Sequence, residues 1–213
     1  MTMTETDGPH PIVRGFYERR TGSIQYVASC PRTRRCAIID PVLDFDEKSG
    51  ATATHCADEI LEYVRMEGLS VEWILDTHPH ADHFSAAQYL KERTGAPTAI
   101  GKRVVEVQRL WKALYGFVDL PTDGSQWDRT FAEGDAFSVG EVPARVLFSP
   151  GHSPKPAGQV QPALQRVFHI DPYLPRPAHP RRGFSYQTLA AASIRFRTSA
   201  IQSASRWNPR SAY

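Results

Sequence analysis

The chain has 213 residues, a formal net charge of +2, 41% hydrophobic and 23% charged residues, the composition of one globular domain with a real core rather than a fibrous or disordered chain. No run approaches the roughly 20 apolar residues that span a bilayer. The polar start Met1–His10 lacks the basic and apolar stretches of a signal peptide, so a cytoplasmic protein with no membrane partner is expected.

In chain order, Ser23–Ala28 alternates and is rich in strand formers. Cys36–Asp40 is a short apolar run ending in an acid and then Pro41, which predicts a buried strand that stops there. Ala57, Ile60, Leu61 and Val64 repeat at helical spacing, and Gly68 stands where that helix should end. Val71–Leu75 reads as the next strand. Ser85–Arg93 reads as a helix with Ala86, Ala87 and Leu90 on one face, stopped near Gly95-Ala96-Pro97. A short strand at Thr98–Ile100, a helix over Val104–Leu114 and a polar loop over Pro121–Arg129 follow. A turn at Gly134-Asp135 leads into a strand at Ala136–Val139, and another runs over Ala144–Phe148. Strand, helix, strand in this order predicts stacked α/β layers.

The texture changes after Ser153. Residues 1–153 hold 16 basic and 22 acidic residues; residues 154–213 hold nine basic residues and one acid, Asp171. Seven prolines fall within residues 154–182. Such a stretch buries little apolar area for the entropy that ordering costs, so little order is expected there beyond Val167–Ile170. The basic residues are diluted among Ser, Ala, Pro and Gln without a binding motif, and no nucleic-acid partner is expected. Cys30, Cys36 and Cys56 are odd in number and scattered, which speaks against a disulfide framework. Cys30 and Cys36 have no second pair with which to complete a metal site.

The chemistry lies in Thr77-His78-Pro79-His80-Ala81-Asp82-His83. Side chains two residues apart on a strand end share a side, so His78 and His80 point together. Asp82 and His83 follow as the chain turns. Three imidazoles and a carboxylate within six residues can surround a divalent ion, and Fe2+, Zn2+ and Mn2+ all suit such donors. His152 arrives on a second strand end within Ser149-Pro150-Gly151-His152-Ser153-Pro154.

The 77–83 run resembles the signature of the metallo-β-lactamase superfamily. Together with Ile39-Asp40-Pro41-Val42 and the Pro150-Gly151-His152 turn, it is similar to the persulfide dioxygenase branch, including bacterial β-lactamase-like hydrolases, with glyoxalase II a hydrolytic relative. The resemblance implies an α/β fold, the αβ/βα sandwich of that superfamily, with a metal at one edge of its sheets. In a persulfide dioxygenase it implies one Fe2+ on His78, His152 and an aspartate, with glutathione persulfide as substrate. In a zinc hydrolase it implies His80, Asp82 and His83 as further ligands, with Asp82 the catalytic acid of the set. The partner in either case is a small thiol, persulfide or thioester.

The resemblance covers residues 12–153, between a flexible residues 1–11 and an atypical basic 154–213. The family's second half should bring another acid and a late histidine. Asp171, in Phe168-His169-Ile170-Asp171, stands at a suitable distance to be the sixth metal ligand, but no late histidine follows at the family's spacing. The loss of acids where the pattern stops implies a frameshift or rearrangement near residue 154 and an incomplete second half. It also opens a third reading, a remnant that holds metal and turns nothing over. A sheet lacking its second half should leave apolar surface uncovered.

Overall fold

The computed structural model describes residues 10–80, 83–150 and 165–169. In chain order these form β1 (Ile12–Tyr17), β2 (Ile24–Ser29), β3 (Arg35–Ile39), β4 (Val42–Asp46), β5 (Ala51–Ala53), α1 (His55–Met66), β6 (Ser70–Asp76), β7 (Phe84–Ser85), α2 (Ala87–Thr94), β8 (Thr98–Gly101), α3 (Val104–Tyr115), β9 (Arg129–Phe131), β10 (Ala136–Val139), β11 (Val142–Pro150) and β12 (Gln165–His169). The result is an α/β fold, as expected. None of the described helices is long and apolar enough to cross a membrane.

Six strands make the main sheet, in the order β1-β2-β3-β6-β8-β9. The first three pair antiparallel, and β3, β6, β8 and β9 run parallel. Alternation sends successive side chains to opposite faces. Cys36, Ile38, Val27 and Ile74 face α1 and α2, where they meet Ala57, Ile60, Val64, Ala87 and Leu90. Ala37, Ile39, Ala28 and Leu75 face the other way, joined by Ala99 and Phe131. Burying side chains such as Ile60 and Leu90, both 0% exposed, stabilises the fold by roughly 1.5–3 kcal/mol each.

The second sheet, β10-β11-β12, places Val139, Val142, Ala144 and Val146 against that other face. The uncovered surface expected from the sequence is therefore not left by the described residues: the β10–β11 hairpin fills it. The indole N–H of Trp73 also donates to the Ser138 carbonyl at 3.1 Å, joining the sheets. The hairpin's turn sits hard against the β2–β3 turn. Gly140 has φ +58, and a Cβ there would fall 1.9 Å from Thr33 Oγ1, so only glycine fits.

The helical spacing is borne out in α1, which buries Ala57, Ile60 and Val64. Beyond it Gly68 takes φ +59, and the Leu69 N–H donates back to the Val64 carbonyl at 2.9 Å. Helix α2 begins at Ala87 rather than Ser85, because Ser85 pairs with Val42 in the small sheet β5-β4-β7. The polar 121–129 loop ends one residue early, since Arg129 enters β9 beside Ala99. Strand β12 spans most of the stretch expected to be ordered late in the chain.

Asp128 fastens this loop to the main sheet. It accepts from Lys91 Nζ at 2.6 Å, Thr98 N at 2.9 Å and Thr98 Oγ1 at 3.1 Å. The Lys91 ammonium and those bonds outweigh a small burial effect and hold its carboxyl at about 2, below the ordinary 3.8. A depressed carboxylate contributes stability that is present above its unfolded value and lost as pH falls through its folded one. Wild type should therefore lose its advantage over Asp128→Asn between about pH 4 and pH 2, read as Tm against pH for both proteins. Parallel curves across that window would contradict the assignment.

Candidate metal centre

Thr77, His78 and His80 follow β6 where it leaves the main sheet, and Thr77 and His80 bond to Asp40 at the end of β3. Strand β3 stops at Ile39, and Asp40 takes φ +51, turning its side chain and Pro41 out of the sheet. A left-handed backbone is costly for most residues but tolerated by aspartate. The Asp40 side chain is 18% exposed and accepts three hydrogen bonds from the run. Thr77 N reaches Oδ1 at 2.7 Å, Thr77 Oγ1 reaches Oδ2 at 2.7 Å, and His80 Nε2 reaches Oδ1 at 3.0 Å. Burial pushes the Asp40 carboxyl up, but the bond and charge of His80, with the bonds from Thr77, outweigh it and hold it below the usual value.

An ionised carboxylate only accepts, so His80 donates its Nε2–H to Asp40. The Thr77 hydroxyl gives its one proton to Asp40, so at 2.8 Å from His78 Nδ1 it accepts. His83 Nδ1 stands 3.1 Å from the Phe84 carbonyl, which also only accepts. One nitrogen of each ring is thus held by an oxygen of the chain, as the outer partners of metal-ligating histidines do.

The rings are close. His78 and His80 centroids are 4.2 Å apart and His80 and His83 centroids 4.0 Å apart. Ligand atoms of Asp40, His78 and His80 all lie within 4.8 Å of one another. Imidazole and carboxylate donors so placed fit Zn2+ or Fe2+. Thr77 and His80 both donate to the Asp40 oxygens, so Asp40 also anchors the run.

The structure thus brings together His78, His80 and His83. Asp82, His152 and Asp171 lie outside the described residues. Strand β11 runs to Pro150, two residues before His152, and β12 ends at His169, two residues before Asp171. Two contributors were not singled out as site residues from the sequence. For Asp40 the signal was an acid followed by proline at a strand end. For Asp76, whose partners are distant in sequence, there was none.

Beside His80 and His83 opens a cleft of about 570 Å³, walled by Leu43, Phe45 and Phe84 on one side and by Glu18 and Arg20 of the β1–β2 turn on another. Phe45 and Phe84 meet edge to face, 5.0 Å between centroids, and Phe84 is 53% exposed. Cys56 Sγ donates to Asp44 at 3.0 Å, and burial with the neighbouring carboxylate pushes the thiol up to about 12. Cys30, Cys36 and Cys56 are all free thiols, as expected.

Comparison with known proteins gives four findings. The family model described as the metallo-beta-lactamase superfamily matches residues 25–179. A beta-lactamase hydrolase-like protein of Xylella fastidiosa is 68% identical over 143 residues, which cover 67% of this chain and 33% of that protein. Glyoxylase B2 of Dictyostelium discoideum is 40% identical over 141 residues, 65% of this chain and 48% of that protein. Among solved structures, a metallo-beta-lactamase from Staphylococcus aureus aligns with a TM-score of 0.51 at 20% identity, covering 76% of this chain and 39% of that one. The chain spans about a third of the length of the first curated relatives it matches.

Proposed function

Because the chain belongs to the metallo-β-lactamase superfamily, we propose that its histidine run holds a catalytic metal and that it works as a persulfide dioxygenase, oxidising glutathione persulfide to sulfite and glutathione. The observation that carries this proposal is the seat of the Ile39-Asp40-Pro41-Val42 run. That run, with the histidine cluster and the Pro150-Gly151-His152 stretch, carries the resemblance to the branch, and here Asp40 grips both Thr77 and His80. His78, His152 and Asp171 would hold a single Fe2+, a two-histidine, one-carboxylate set that leaves positions open. When bound, the iron supplies activation of dioxygen beside the substrate's terminal sulfur. The overall change balances as one persulfide, one O2 and one water giving one thiol, one sulfite and two protons.

The chain's own residues prepare that chemistry. Asp40 and Thr77 orient the His78 and His80 rings, and the Phe84 carbonyl orients His83. The cleft beside His80 and His83 admits the substrate past the Phe45–Phe84 pair.

A second reading is a thioester hydrolase with zinc at His78, His80, Asp82, His83 and His152. It is favoured by the His83 ring stacked on His80. Metal content with two assays separates the readings. Stoichiometric iron with O2 uptake on glutathione persulfide supports the first. Zinc with thioester cleavage and no O2 uptake overturns it. Bound metal with neither activity leaves the inactive remnant.

Phe84→Ala should raise KM for the substrate several-fold, with kcat changed less and metal content unchanged. The lost aromatic face, already half exposed, contributes to substrate binding at about 1 kcal/mol. Steady-state kinetics with metal analysis checks this; an unchanged KM removes the cleft from the substrate's path.

A further inference from the structure

Asp76 is the last residue of β6 and precedes Thr77, yet the metal proposal leaves its side chain unused. The residue is 2% exposed. Its Oδ1 accepts from Ser85 Oγ at 2.7 Å, and its Oδ2 accepts from the Trp127 indole N–H at 2.8 Å. Between Asp76 and Ser85 lies the segment that carries His78, His80, Asp82 and His83. Ser85 is itself held, by strand pairing with Val42 and by the Ala87 N–H, which donates to its Oγ at 3.1 Å at the start of α2.

We propose that Asp76 is a positioning residue for the metal: it joins the two ends of the histidine segment through Ser85 and pins that clasp to the 116–128 loop through Trp127. It acts on the cation through the imidazoles and does not touch it. The proposal rests on the metal-binding reading above. A buried acceptor that serves two donors on different segments is an expensive arrangement to leave incomplete, because each orphaned donor keeps its desolvation penalty. An asparagine can still serve both partners, its oxygen accepting from Trp127 and its amide donating to Ser85 Oγ. An alanine serves neither.

The test is Co2+ titration of the full chain, read as affinity and as the visible absorption of the bound ion, beside Tm. Asp76→Ala should bind Co2+ about 10- to 100-fold more weakly, the usual range for partners that orient a ligand, with an altered spectrum. Ser85→Ala, which keeps the Trp127 bond, should lose roughly tenfold. Asp76→Asn should return to within a few-fold of wild type. Should Asp76→Ala fail to fold, Ser85→Ala decides.

A merely structural residue would lower Tm and leave the folded protein's Co2+ affinity and spectrum alone. Wild-type affinity and spectrum in Ser85→Ala and in any folded Asp76→Ala overturn the clasp, as does Asp76→Asn no better than Asp76→Ala. Wild-type protein that takes up no Co2+ overturns the metal reading itself, which is a separate result.

Discussion

His78→Ala and His152→Ala are each expected to leave the purified protein without stably bound metal and without turnover. Outer residues that only orient a ligand cost about 10–100-fold in affinity or activity, so loss of a direct ligand should exceed that. For His78 the expectation follows from the bonding around the ring. Thr77 Oγ1 holds the ring at Nδ1, and the ring lies beside that of His80. For His152 it follows from the Pro150-Gly151-His152 stretch, as a proposal from the sequence. Metal analysis of both variants decides; stoichiometric metal retained in either removes that residue from the site.

Asp40→Ala should lower stability by at least about 3 kcal/mol. Thr77 N and the His80 ring N–H would lose their acceptor, at about 1–3 kcal/mol for each orphaned donor, and alanine at φ +51 adds roughly 1–2 kcal/mol of backbone strain. Two further variants separate these causes. Asp40→Gly relieves the backbone but leaves the donors orphaned, and should recover about 1 kcal/mol. Asp40→Asn tolerates the backbone and keeps one acceptor oxygen, so it should lose the least. Urea unfolding of the four proteins measures the series. A loss in Asp40→Ala below about 1 kcal/mol would mean that the run is held by something else.

Much of the main sheet was legible because its signals are local. The alternation at 23–28, the apolar run at 36–39 and the 3.6-residue repeat of Ala57, Ile60 and Val64 each need only their own neighbours. Strands β1, β4 and β5 were not legible. β4 carries two acids among five residues, β5 is three residues long, and Val42 pairs with Ser85 across 43 positions. The same distinction holds at the site. Two-residue spacing placed His78 and His80 together, whereas the grip of Asp40 on Thr77 spans 37 residues and that of Asp76 on Trp127 spans 51. Contacts of that range come from the fold: Pro41 marks a strand end at Asp40 but not its partners, and nothing near Asp76 announces its own.

The oxygen atoms that orient His78, His80 and His83 all belong to the chain. They come from three separate places, the residue after β3, the residue after β6 and the first residue of β7, so a substitution that loosens any one of these strands should disturb the rings as well.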